Sequence, residues 1–83
     1  MGQTKMNQKG IEETIRRVVS FVQRVEYYEG SNLVYVRKAG ELSSNEIERL
    51  ERIGLKIRNI RPIEFETQYF KETTGLELSL EIV

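Results

Sequence analysis

The spacing of apolar residues changes period along this chain, and that change limits what it can fold into. Ile11, Ile15, Val18, Val22 and Val25 recur at three- and four-residue steps, with Val19 beside them. This is the stripe of an amphipathic helix. From Leu55 the step becomes two: Leu55 and Ile57 alternate with Lys56 and Arg58, then Ile63 and Phe65 with Glu64 and Glu66. Leu76, Leu78, Leu80 and Ile82 alternate with Glu77, Ser79 and Glu81 in the same way, which is strand patterning. A chain carrying both periods must lay helices against a sheet.

Local signals place the remaining elements. Glu12–Arg16 and Glu13–Arg17 are i,i+4 pairs in the favourable order on the polar side of the first helix. Gly30–Ser31–Asn32 ends that helix in a turn, and Leu33–Val36 is a short apolar run that reads as an interior strand. Ala39–Gly40 breaks this run. Ser43 and Glu46 then form a capping box, with Leu42 and Ile47 at the positions of a hydrophobic staple. Ile47, Leu50 and Ile53 form the apolar face of this second helix, and Gly54 ends it. Pro62 cannot donate to a ladder, so a bend or bulge at a sheet edge is expected over Asn59–Pro62. Lys71–Gly75 reads as a hairpin loop. Residues 1–8 read as a loose arm, with Thr4–Met6 as a short first strand. The expected architecture is one α+β domain spanning residues 1–83, a two-layer sandwich of order (β)-α-β-α-β-β. Its two helices cover one face of a mixed sheet. Leu33–Val36 and Leu55–Ile60 run parallel across a right-handed crossover.

Composition narrows the chemistry. The 83 residues contain no Cys, His, Trp or Asp, and all 13 acidic side chains are Glu. Disulfides, thiolate nucleophiles, zinc–thiolate sites and imidazole ligands are thereby excluded. The glycines are isolated singles rather than a phosphate loop, and no Ser has a His partner. Alternating glutamates on the late strands read as a wet face. The chain is therefore expected to be no enzyme and to need no metal or cofactor. Neither a signal peptide nor a membrane span is expected, which points to a cytoplasmic protein. A domain this short buries only about 60% of its unfolded surface, so a homodimer that shares its core is expected.

Charge is informative in its distribution. Thirteen Lys and Arg cancel thirteen Glu, but residues 1–62 carry a net +4 and residues 63–83 a net −4. Arg16, Arg17, Arg24, Arg37, Lys38, Lys56, Arg58 and Arg61 form the cationic set of the basic part. Such a set suits a phosphate-contacting surface. On charge alone it better suits an ordinary salt-bridged surface, because Arg16, Arg17 and Arg52 each follow a Glu by four residues. Tyr27, Tyr28, Tyr35 and Tyr69 are available for stacking on bases or for packing in the core.

Three stretches, VYVRKAGELSSNEIERLERI, LKIRNIRPIEF and GLELSLEIV, together resemble the Alba family of small archaeal nucleic-acid-binding proteins. The carrying features are the strand Leu33–Val36, the Ala39–Gly40 loop, Ser44 near a helix start, the strand Leu55–Ile60 and the terminal strand Leu78–Ile82. The resemblance implies a homodimer or heterodimer that grips duplex DNA or structured RNA. It implies contacts from a turn before the first helix, from the strand–helix loop and from the terminal hairpin. By position these are Lys9 with Lys5 nearby, then Arg37 and Lys38, then Lys71. The chain departs from the family pattern with Glu41 in the strand–helix loop and with an acidic terminal hairpin. The candidate nucleic-acid contacts are therefore Lys5, Lys9, Arg16, Arg17, Arg37, Lys38, Arg58, Arg61 and Lys71. The alternative expectation is a protein-interaction or dimerisation module that binds no nucleic acid.

Overall fold

A computed structural model describes residues 8–28, 30–65 and 73–83. The elements are α1 (Gln8–Val18), β1 (Val22–Tyr27), β2 (Leu33–Ala39), α2 (Ser44–Arg52), β3 (Leu55–Phe65) and β4 (Thr73–Ile82). The strands form one sheet in the order β1-β2-β4-β3. Ile11, Ile15 and Val19 pack with Leu50 onto Val34, Val36, Leu78 and Leu80, so both helices lie on one face. The molecule is the expected α+β, two-layer domain. The first strand expected at Thr4–Met6 lies outside the described residues.

The second helix forms as its punctuation requires. The Ser43 hydroxyl accepts from the Glu46 backbone N–H, and the Glu46 carboxylate accepts from the Ser43 backbone N–H, which completes the capping box. Leu50 is fully buried, whereas Ile53 closes the helix as its C-cap and is half-exposed. Gly54 follows with φ 88°, a left-handed conformation that glycine adopts without strain.

The first helix is shorter than its apolar stripe. The expectation of helix through Val25 is corrected: α1 stops at Val18, and Val22–Tyr27 is strand β1. Val18, Val19, Val22 and Val25 are β-branched, which favours the extended form. Phe21 reverses the chain at φ 57° between the two elements, and its carbonyl accepts from the Ala39 N–H at 2.9 Å. The three-residue step from Val22 to Val25 has a different origin. The β1–β2 register shifts between Val22 and Arg24, leaving Gln23 as an extra residue. A bulge of this kind puts residues three apart on the same face, where regular pleating would separate them. Val22 and Val25 thus both pack on the core, Val25 fully.

The sheet expected to be mixed has antiparallel pairing throughout. β2 pairs antiparallel with β4, and β4 with β3. β2 and β3 therefore run in the same direction, as expected across the crossover, but β4 lies between them. The interruption expected at Asn59–Pro62 is a bulge between Ile57 and Asn59, and β3 continues through Pro62. Its edge position accommodates the missing proline N–H. The expected hairpin loop at Lys71–Gly75 falls partly outside the described residues, and Thr73–Gly75 already belong to β4.

The other edge, β1, is capped by α1. The Gln8 amide donates to the Val25 carbonyl at 2.6 Å, and its oxygen accepts from the Tyr27 N–H at 2.8 Å. One carboxamide thus stands in for the peptide group of a neighbouring strand. Arg16 adds a bond to the Val22 carbonyl at 2.7 Å. Replacing Gln8 with Ala removes both amide bonds, which should cost about 1–2 kcal/mol. Urea unfolding followed by circular dichroism checks this, and an unchanged midpoint would show that the cap adds nothing.

Candidate nucleic-acid interface

Strand alternation sorts the candidate cations onto two sides of the sheet. On β2, Val34, Val36 and Lys38 face the helices, so Leu33, Tyr35 and Arg37 face away from them. The register then assigns the open face residue by residue. Arg37 lies opposite both Arg24 and Glu77, and Tyr35 opposite Glu26 and Ser79. Across β4, Glu77 lies opposite Arg61, Ser79 opposite Asn59, and Glu81 opposite Lys56. Arg58, at the β3 bulge, reaches Glu81 at 3.3 Å.

Among the described residues the open face therefore gathers five cations, Arg24, Arg37, Lys56, Arg58 and Arg61, around three carboxylates, Glu26, Glu77 and Glu81. Arg37 binds Glu77 at 3.0 Å, and Arg61 shares that carboxylate. Hydrogen bonding from Arg37 and the charge of Arg61 outweigh desolvation and hold the Glu77 carboxyl below its ordinary range. It stays ionised at neutral pH with two guanidiniums on it, which leaves one positive charge in excess. Arg24 pairs with Glu26 at 2.8 Å. Arg24 also stands directly opposite Arg37, an arrangement of like charges that weakens a strand pair. All four arginine side chains on this face are at least half exposed. Exposed pairs of this kind contribute little to stability, about 0–1 kcal/mol each.

Tyr35 sits among these charges at the middle of the sheet. The Tyr28 ring meets it edge-on, with centroids 6.4 Å apart and planes at 70°. The Tyr28 hydroxyl donates to Glu26 at 2.8 Å, and that bond raises its pKa.

The remaining expected contacts lie elsewhere. The placement of Lys38 on a binding surface is corrected, because its side chain is fully buried. The two-residue period turns it inward beside Val36, and its ammonium donates to the carbonyls of Ala39 at 3.0 Å and Glu41 at 2.5 Å. Adjacent strand residues cannot share a face, so Arg37 and Lys38 cannot act together. Lys9 is exposed on α1. Arg16 is held by Glu12 at 3.0 Å in addition to capping β1. Arg16, Arg17, Ser20, Ser43, Glu46 and Arg49 line an open groove of about 500 Å³ on the helical side. Lys5 and Lys71 lie outside the described residues. Arg37, Arg58 and Arg61 are thus brought together, while Lys9, Arg16 and Arg17 occupy the opposite layer. Arg24 and Lys56 belong with the first group, and the bulge at Gln23 is what obscured Arg24 in the sequence.

Glu46 binds the helical side together. Its carboxylate accepts from Ser43 N and Oγ at 2.9 and 3.0 Å, and from Ser20 N and Oγ at 2.8 and 3.0 Å. Burial pushes this carboxyl up, but the hydrogen bonds from Ser43 and Ser20 prevail and hold it at about 2, below its ordinary 4.5. A pKa depressed only in the folded state adds stability above about pH 4.5 that is lost as pH falls toward about 2. Glu46→Gln should cost about 1–2 kcal/mol at neutral pH. It should also flatten the loss of stability between pH 4.5 and 2, which denaturant titrations at several pH values would reveal.

Among the described residues no group of three or more acidic side chains could hold a metal ion, and no helix is long and apolar enough to cross a membrane. No protein-family model, curated protein or solved structure matches this chain.

Proposed function

We propose that this chain is a non-catalytic nucleic-acid-binding protein that contacts phosphates with its open sheet face and works as a dimer in the cytoplasm. The observation that carries this reading is the arginine cluster around Glu77. Arg37 and Arg61 share one carboxylate, and Arg24 stands opposite Arg37. A phosphate placed between these guanidiniums would offset the like-charge opposition and use their planar donor sets. The resemblance to the Alba family supports nucleic-acid binding by a dimer, while the contacts it implies come from loops and the terminal hairpin rather than from the sheet face. For a dimer the available edge is β3, since Gln8 and Arg16 occupy the backbone groups of β1.

A salt titration tests the proposal. Affinity should fall as salt rises from about 50 to 200 mM, with a slope that reports the number of phosphates neutralised. The double substitution Arg37→Ala with Arg61→Ala should weaken binding and reduce that slope by about 0.7–0.9 for each phosphate no longer neutralised. Lys38→Met, on the core side, should leave both unchanged in protein that remains folded by circular dichroism. Affinity that ignores salt, or no binding near micromolar concentrations, would refute nucleic-acid binding. Light scattering that shows a dimer would then leave the protein-interaction reading.

A further inference from the structure

We propose that the nucleic acid taken by the open sheet face is single-stranded, with a base stacked on Tyr35 and its flanking phosphates held by Arg37 and its neighbours. This inference rests on the nucleic-acid reading above and specifies its ligand.

Shape is the first argument. The major groove of a duplex admits an α-helix or a two-stranded ribbon, and the broad face of a sheet reaches the minor groove only where the duplex is bent open at a cost of a few kcal/mol per unstacked step. The helices of this domain lie on the far side of the sheet from the arginine cluster. Laid on that cluster, a duplex would touch the face along one line of phosphates and leave Tyr35 without a role. An unpaired strand can lie flat and turn its bases toward the protein.

The second argument is the residue at the centre. Tyr35 occupies the middle of β2, with Arg37 two residues along on the same face and Glu26 and Ser79 directly opposite. Its β4 partner, Ser79, is a small side chain. Tyr28, just beyond β1, makes a T-shaped contact with the ring. An aromatic ring on a four-stranded sheet, flanked by exposed guanidiniums, provides what a single strand needs: a stacking surface for a base and cations for the backbone.

Charge complementarity selects the same occupant over a second copy of the chain. Among the described residues five cations outnumber three carboxylates on this face, and its larger described apolar side chains are Leu33 and Tyr35 on β2 and Ile63 on β3. Two such faces brought together would bury like charges without forming an apolar core, whereas interface cores are depleted in charged residues. A polyanion with apolar bases meets both features.

The absence of Trp from the sequence supplies a clean probe. Tyr35→Trp should create a single indole whose emission is quenched when a base stacks on it. Fluorescence anisotropy should compare labelled 12-nucleotide single-stranded RNA, single-stranded DNA and duplex DNA on the full chain. Either single strand should bind at least tenfold more tightly than the duplex, and the ratio of the two single-strand affinities reports any preference for ribose. Tyr35→Leu should weaken single-strand binding by at least about fivefold while Tyr35→Phe retains it. Because Tyr35 is half-buried, circular dichroism of each variant accompanies the binding data, and the indole emission of the Tyr35→Trp variant reads stacking in folded protein. Duplex affinity equal to or above that of the single strands, or binding without quenching of that emission, would overturn this inference and leave the nucleic-acid reading standing. No binding by any of the three probes would overturn both.

Discussion

The two-residue alternation of β2 and β4 is the constraint on which the rest of this molecule depends. These strands form the middle of the sheet, and each sends every second side chain toward the helices. Val34, Val36, Leu78 and Leu80 fill that side and are fully buried. The intervening positions, Tyr35, Arg37, Glu77 and Ser79, are thereby committed to the open side. Core and candidate site are made by the same few strand residues, so neither can shift in register without displacing the other.

The elements that were legible in the sequence are those whose local chemistry and tertiary role agree. The capping box at Ser43 and Glu46, the alternation of Leu76–Ile82 and the reversal at Gly54 all appear as read. The failures have identifiable causes. Val22 and Val25 share a face through a bulge, and their three-residue step resembles a helical one. Arg37 and Lys38 look like a basic pair in the sequence, yet they project to opposite sides of one strand. The hold of Gln8 on β1 and the reach of Glu46 to Ser20 could not be read at all. Both act across long sequence separations, Gln8 on β1 and Glu46 on Ser20, and no local pattern announces such contacts.

Electrostatics in this domain are arranged by layer. A net charge of zero and an acidic C-terminal segment suggest a surface indifferent to polyanions. Folding threads the acidic strand β4 between the basic strands β2 and β3. Glu77 and Glu81 then serve as spacers that hold Arg37, Arg58 and Arg61 in place, and among the described residues of this face the cations remain in excess. The acidity of the last strand positions the arginines at least as much as it neutralises them. Lys38 has a different duty: its stem fills space in the helical layer, and its ammonium satisfies the carbonyls of Ala39 and Glu41 where the chain leaves β2 for α2.

The bulge at Gln23 has a consequence for how this chain can change over time. Removal of Gln23 alone would restore an even ladder with Val22 and Val25 two residues apart, so both would stay on the core side and Arg24 on the open side. Loss or gain of a residue elsewhere along a regular stretch would turn one flank over instead. The bulge is therefore the point in this six-residue strand where the chain can shorten by a residue without exchanging its two faces. Among related chains a one-residue difference between Phe21 and Tyr27 should fall at Gln23.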